Sequence, residues 1–329
     1  MNTFKYENVY IENTYSLLGR NEHKPDILSK VDKVINSYYN NEKTVELAEI
    51  SFQQETIEGL LKKVKISSDK VDLAIGGDLQ NQLLASNMGI KKFAIPFLGI
   101  YSACSTFTEG LIIASTLIDK SFINNAIVTT SAHNLVCEKQ FRFPIEYGAI
   151  RKKVNTFTAT GSVSVLVSNK KSEYKINNST IGKVMDLNYK DVNNMGACMA
   201  PGAAEVIYDH LKNLNINANY YDLILTGDLG KYGVKILKEY LLKKYNIMLE
   251  NVKDAGSLLY DAENNNNIAG GSGPICLPLV LFNQISKTKY RKILIVGTGS
   301  LHSATSSNLK LSVPCISHAV ELEVIKWFI

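Results

Sequence analysis

The chain has 329 residues, of which 45% are hydrophobic and 20% charged, with a net charge of +5; that is a globular composition, long enough for one large core or two similar halves. The lysines are spread without a block that reads as a nucleic-acid stripe, so no nucleic-acid partner is expected, and the densest run, Arg151-Lys152-Lys153, reads as a solvated loop. The five cysteines (Cys104, Cys137, Cys198, Cys276, Cys315) form no CxxC pair, which indicates neither a disulfide framework nor a zinc site and fits a reducing, intracellular compartment.

The N-terminal run MNTFKYENVYIEN lacks the apolar core of a signal peptide, and no stretch has the length and apolarity of a membrane span. Val9–Ile11 reads as a short strand, followed by a loop carrying Gly19, Pro25 and Asp26. Apolar residues recur at helical spacing from Asp32 to Leu61 and predict one or two helices. Lys70–Ile75 is a buried-type strand ending at Gly76-Gly77-Asp78, and a short helix follows over Gln80–Met88. Next comes a strand-like run, Ile95–Ile100, then a small-residue turn, Ser102–Thr106. From Phe107 to Ile118 the chain reads as an almost wholly apolar helix with Glu109 its only charge, and a helix apolar all round is a buried one. Cys104 heads that helix, where backbone N–H groups and the helix dipole lower a thiol's pKa. This is the layout of a nucleophile. Asn125–Thr130 is a further strand ending at Ser131-Ala132-His133-Asn134. Val136–Asn155 reads as a long irregular segment, a lid or interface element, and Gly161–Ser168 as a strand.

The second half repeats the plan. Ile181–Leu187 reads as a strand and Pro201–Leu211 as a helix. Tyr221–Leu229 then lines up with Val71–Leu79 at a constant offset, setting Asp222 against Asp72 and Asp228 against Asp78. Val234–Tyr245 is amphipathic, and Gly270-Gly271-Ser272-Gly273-Pro274 opens a second apolar helix, Ile275–Ile285. Lys292–Val296 is a strand ending in Gly297-Thr298-Gly299-Ser300, and His318–Ile325 closes the chain as a strand. This repetition argues for an internal duplication, with halves at 1–172 and 173–329. Strands alternating with helices imply sheets covered on both faces. Two such sheets enclosing the two buried helices give a five-layer α/β/α/β/α sandwich with both helix N-termini near the junction of the halves.

A duplicated chain with a cysteine opening its first buried helix resembles the thiolase fold, in particular the ketoacyl synthase III branch. The segments GIYSACST, SAHN, EKQFRFPIEYGA, NNMGACMAP, YDLILTGDLGKYG, IAGGSG and PCISHAVELEVI, taken in this order, resemble the stage V sporulation protein AD family of spore-forming Firmicutes. The resemblance implies a thiolase-like fold and a role in moving dipicolinic acid into the developing spore and out on germination. It also implies binding of that ligand and work beside the membrane-embedded proteins of the same operon, peripheral to the spore inner membrane.

Condensing enzymes of this fold need a histidine and a second histidine or asparagine beside the cysteine. Cys104 matches the nucleophile position. Where the histidine belongs the chain has Leu225-Thr226-Gly227-Asp228-Leu229, and where the asparagine belongs it has Gly270-Gly271-Ser272. An aspartate near the thiol would raise its pKa and repel an oxyanion. No catalytic residue is therefore expected. The preferred reading is a binding protein in which two opposed helix N-termini present backbone N–H groups to a carboxylate ligand. Cys104, Gly271, Ser272 and Gly273 are expected to line that site, with His133 and Asp228 nearby. No resident cofactor or metal is expected, although a calcium ion carried in with dipicolinate would suit Asp228.

Plainer readings stand beside these. Cys104 can be an inert remnant packed as a small hydrophobe, and Asp78 and Asp228 can simply end strands. His133 can be a hydrogen-bonded supporting group, His302 carries little weight, and Arg142 and Arg151 read as surface or dimer contacts. A homodimer is compatible with the sequence. The two competing functions are a condensing or acyl-transfer enzyme using Cys104 and a purely structural subunit.

Overall fold

The computed structural model describes residues 2–19, 30–141, 152–260, 269–285 and 289–325; Pro25, Asp26, Arg142 and Arg151 lie outside the described residues. The strands in chain order are β1 (Thr3–Lys5), β2 (Tyr10–Gly19), β3 (Lys33–Ile35), β4 (Leu73–Gly77), β5 (Phe97–Gly99), β6 (Asn125–Ala132), β7 (Phe157–Thr158) and β8 (Gly161–Ser168). They continue with β9 (Tyr174–Ile181), β10 (Leu223–Thr226), β11 (Val252–Asp254), β12 (Gly271–Ser272), β13 (Lys292–Ser300) and β14 (Cys315–Val324). The α-helices of the described residues are α1 (Val45–Val64), α2 (Leu84–Lys91), α3 (Thr106–Asp119), α4 (Asn134–Phe141), α5 (Met195–Leu214), α6 (Gly230–Tyr245), α7 (Ala255–Leu259), α8 (Cys276–Asn283) and α9 (Ala304–Asn308).

The hydrogen-bonded path runs β11-β10-β13-β14-β9-β2-β8-β6-β4-β5. Its two ends are built alike. β5, β4 and β6 pair in parallel, then β8 and β2 follow by antiparallel pairings. β11, β10 and β13 pair in parallel, and β14 and β9 follow in the same way. The two runs join where Tyr10 and Ile11 of β2 meet Lys175 and Tyr174 of β9. β1 crosses over to pair with β9.

Strand alternation sorts side chains into layers. Ile75, Val128, Val163 and Val165 from the first run, and Leu223, Leu225, Ile293, Ile295, Val320 and Leu322 from the second, point into one shared core. α3 and α8 fill that core, with Phe107 and Phe282 edge to face at 6.4 Å. α3 packs on β4, β6 and β8 on one side and on β13 and β14 on the other. The opposite faces are covered separately: Ala74, Ile127 and Leu166 by Ile57 and Leu60 of α1, and Ile224, Leu294, Val296 and Ala319 by α5 and α6. Outer helices, sheet, buried helices, sheet and outer helices make the five-layer α/β/α/β/α sandwich.

Several elements differ from the sequence expectation. The segment Asp32–Leu61 holds β3 and one helix. That helix starts at Val45 because the Thr44 hydroxyl accepts the Leu47 N–H at 3.3 Å, and it stops where Lys65 turns left-handed at φ 57°. The strand expected at Ile181–Leu187 is instead β9, Tyr174–Ile181. Its buried positions carry polar groups with distant partners, such as Ser179 on Tyr6 and Thr180 on His210, and so give no apolar signal. Val136–Phe141, the start of the segment expected to be irregular, belongs to the helix Asn134–Phe141.

Candidate functional site

The turn before α3 brings Cys104 to the junction of the two runs of strands. Ser102–Ser105 closes on itself through Ser105 N–H to Ser102 O at 2.9 Å, and Ala103 takes the left-handed conformation at φ 49°. The end of β13 lies against this turn because it carries glycine. A Cβ on Gly299 would stand 2.4 Å from the Ser102 carbonyl oxygen, so a side chain there would push the two halves apart.

Across from Cys104 lies Asp228, at the end of β10, 1% exposed. The Thr298 hydroxyl donates to its Oδ1 at 2.6 Å and the Gly273 N–H donates to its Oδ2 at 3.0 Å. The Cys104 thiol donates to the same carboxyl. Thr298 also accepts the Asp228 N–H at 3.1 Å, which fixes the turn. A second buried acid, Asp254, pins the following turn by accepting the Leu229 N–H at 2.8 Å and the Gly230 N–H at 3.0 Å. Gly273, directly before α8, holds φ 113°, a conformation that L side chains rarely adopt.

These contacts set the electrostatics. Burial pushes the Asp228 carboxyl up to about 6, partly offset by its hydrogen bonds from Thr298, Cys104 and Gly273. Burial, and then the Asp228 carboxylate, push the Cys104 thiol well above the ordinary range, and burial does the same to the neighbouring Cys276. The reactive thiol expected at a helix N-terminus is thus reversed. A helix end contributes up to about 2 kcal/mol, and burial beside a carboxyl outweighs it here.

The expected site residues separate into two groups. Cys104, Asp228 and Gly273 come together. Gly271 and Ser272 do not join them: they form β12, paired with Phe157 and Thr158 of β7, and the Ser272 carbonyl accepts the Ala159 N–H at 2.9 Å. His133 does not reach the cluster either. Ala132 faces Gly273, and His133 points to the other side, its ring stacked on Phe52 at 5.8 Å. Its Nε2 donates to the Tyr38 carbonyl at 2.8 Å and its Nδ1 accepts the Leu135 N–H at 3.2 Å, so both nitrogens are engaged and it supports the fold. At one of the two helix ends expected for a ligand, the Gly273 N–H is already taken by Asp228. Both oxygens of Asp228 are engaged as well, so a calcium ion would have to displace existing donors, and no cluster of three metal-ligating side chains is found among the described residues.

Asp78, the first-half counterpart of Asp228, accepts from Gln80 N–H, Ser86 N–H and Ser86 Oγ at 2.6–2.8 Å and closes a turn. Cys276 beside Cys104, and Thr298 and Asp254 beside Asp228, are members of the cluster that the sequence does not point to. The Gly-Thr-Gly-Ser run, which forms the last four residues of β13, is the available signal for Thr298. His318 also lies close to this region, with Nε2 3.4 Å from Ser102 Oγ and Nδ1 accepting the Gly182 N–H; burial holds it down to about 4. An open groove of about 940 Å³ adjoins the Cys104 turn, with Tyr101, Gln80, Lys139, Phe141 and His302 among its walls. Chemically, the cluster offers a protonated thiol and a buried carboxyl, with no histidine bonded to either among the described residues.

Among the described residues no helix is long and apolar enough to cross a membrane. The sequence model of the family "Stage V sporulation protein AD (SpoVAD)" matches residues 2–323. Stage V sporulation protein AD of Bacillus subtilis (strain 168) is 36% identical over 319 residues, covering 96% of this chain and 94% of that protein. Among solved structures, the chain is similar to a single-residue variant of Xanthomonas campestris OleA, with a TM-score of 0.62, 14% identity and coverage of 97% and 99% of the two chains. It is also similar to 3-oxoacyl-[acyl-carrier-protein] synthase III from Aquifex aeolicus VF5, with a TM-score of 0.56, 16% identity and coverage of 96% and 99%. At these identities the two structures establish a shared thiolase-like fold.

Proposed function

The chain belongs to the stage V sporulation protein AD family, and from that premise we propose that it is a non-catalytic binding protein for dipicolinic acid in the spore. The observation that carries this reading is the pairing of Cys104 with Asp228, a buried carboxyl, in place of a histidine. A condensing enzyme needs a thiolate and a donor to a developing oxyanion. Here the thiol keeps its proton, and a carboxyl occupies the place where the oxyanion would form. Among the described residues, His133 and His210 hold partners away from the cluster, His302 meets Ser300, and His318, the histidine bonded to the Cys104 turn, reaches Ser102 and not the thiol.

The ligand enters by the groove beside Tyr101. That groove offers aromatic faces at Tyr101 and Phe141, the amides of Gln80 and Gln140, and the Lys139 ammonium, which is paired with Glu46 of the same wall at 3.1 Å and would have to turn from it to meet a flat dianion. Any calcium arrives on the ligand and not on Asp228. The protein works at the inner membrane of the spore through the membrane-embedded proteins of its operon. It forms a homodimer through the free edge of β5, where Leu98 and Tyr101 are exposed at the end of the sheet.

Calorimetric titration of dipicolinate into the parent protein, Cys104→Ala and Asp228→Ala, with and without calcium, tests the reading. Saturable binding altered by either substitution supports it, and no saturable binding by the parent overturns it. Equal affinity with and without calcium removes the ion. A mass-shifted acyl adduct on Cys104 after incubation with acyl-CoA would instead establish the enzyme.

A further inference from the structure

Far along β14 from the Cys104 cluster, Glu321 is a carboxylate only 2% exposed. Buried carboxylates normally carry a cationic partner. Glu321 has hydrogen bonds alone: Asn178 Nδ2 donates to its Oε2 at 2.6 Å and the Tyr221 hydroxyl donates to the same oxygen at 3.0 Å. No lysine or arginine of the described residues pairs with it.

The surrounding hydrogen bonds run toward it. Tyr221 has one proton and gives it to Glu321, so at 2.6 Å it accepts from Nε2–H of His210. Nδ1 of that ring is then the acceptor for the Thr180 hydroxyl at 2.7 Å. Thr180, His210 and Tyr221 therefore form a chain of donors that ends on Glu321. His210 supplies no counter-charge, because burial holds it neutral.

Glu321 forms part of the wall of an open cleft of about 380 Å³. Tyr6, Tyr220, Leu214 and Ile216 give the cleft aromatic and aliphatic sides, and Lys5 stands among its lining residues without pairing with Glu321. The Tyr220 ring already carries the Lys292 ammonium at 3.8 Å from its centre, so this wall accepts cations. One carboxylate without further acidic, histidine or cysteine ligands does not make a divalent metal site.

We propose that this cleft binds a small aliphatic ammonium group, with the nitrogen on Glu321 and the carbon chain between Tyr6, Leu214 and Ile216. The ammonium belongs either to a free amine or to a lysine side chain of another protein; the chemistry recognised is the same. The test is calorimetry of the full chain with n-butylammonium chloride, with 1-butanol as the uncharged control and Nα-acetyl-lysine amide as the side-chain mimic. Saturable n-butylammonium binding is expected, at least tenfold weaker in Glu321→Gln and absent with 1-butanol. Binding of the lysine mimic at equal strength assigns the cleft to a protein side chain, and weaker binding assigns it to a free amine. Ile216→Trp fills the cleft without touching the donor chain, and it should abolish binding even if Glu321→Gln does not fold. No saturable heat from the parent, unchanged affinity in a folded Glu321→Gln, or equal binding of 1-butanol overturns the proposal.

Discussion

Asp228→Asn isolates the electrostatics of the Cys104 cluster. In the folded protein burial lifts the carboxyl from an ordinary value of 3.8 to about 6. A folded pKa raised in this way means that the folded state holds a proton which the unfolded state has released. Stability is therefore greatest below about pH 4, falls as pH rises to about 6, and is flat above that. A rise of roughly two units corresponds to about 3 kcal/mol. Asparagine does not titrate, but it offers one acceptor where Thr298 and Gly273 now use two oxygens, a loss of about 1–3 kcal/mol at every pH. The variant should be the less stable protein near pH 4, and its deficit should shrink by about 3 kcal/mol near pH 7. Urea unfolding of both proteins at the two pH values measures this directly. Cys104, Cys276 and Asp254 also face this carboxyl, and all three are retained in both proteins. A stability difference independent of pH would refute the assignment of a raised pKa to Asp228. The same titration bears on function: dipicolinate affinity of the parent should fall as pH rises through about 6, when a buried anion begins to oppose the dianion, and it should not fall in Asp228→Asn.

Three further outcomes follow from the same geometry. Iodoacetamide should alkylate Cys104 more slowly than free cysteine at neutral pH, because burial and Asp228 hold the thiol protonated, and Asp228→Asn should speed the reaction, as read by peptide mapping. Gly273→Ala should cost about 1–3 kcal/mol in chemical unfolding; a Cβ there finds ordinary contacts at 3.5 and 3.6 Å, so the cost comes from φ 113° alone. Glu49 is lifted to about 8 by burial and then by the Asp78 carboxylate. Its folded pKa is raised, so the parent should lose stability as pH rises from about 4.5 to about 8, whereas Glu49→Gln should lose only the part that Asp228 contributes up to about pH 6 and should lack the further loss between about 6 and 8 in the same unfolding assay.

What the sequence made legible was the repeated backbone plan. The paired strands, the two buried helices and the aspartates at constant offset are local patterns, and they recur in the structure down to their hydrogen bonds. Asp72 accepts the N–H groups of Asn124 and Asn125, and Asp222 accepts those of Arg291 and Lys292. The contacts that decide the chemistry of Cys104 were not legible, because they join residues far apart: Gly273 to Asp228 spans 45 positions and Thr298 to Asp228 spans 70. β9 was missed for a related reason, since its buried polar residues have no apolar alternation to reveal them. The direction of His133 could have been read. Ala126 and Val128 point into the central core, and continuing that alternation sends Ala132 inward and His133 outward.

The duplication also supplies an internal control. Asp78 and Asp228 occupy equivalent places, and both are buried at a strand end. Their donors differ. Asp78 takes its hydrogen bonds from the loop that follows it, at Gln80 and Ser86. Asp228 takes its own from Thr298, Gly273 and Cys104, residues of three separate segments that meet between the halves. One aspartate therefore closes a turn, and the other ties the junction together. Asp78→Asn should leave at least one of those local donors without its acceptor and destabilise the protein by about 1–3 kcal/mol near pH 6, where Glu49 still carries its proton. Because Asp78 holds Gln80 of the groove wall, the variant's dipicolinate affinity should weaken, but it should keep the parent's fall through about pH 6 that Asp228→Asn removes in the same titration. Equal changes in that pH dependence from the two substitutions would mean that ligand binding follows general stability, and the junction would lose its claim to be the site.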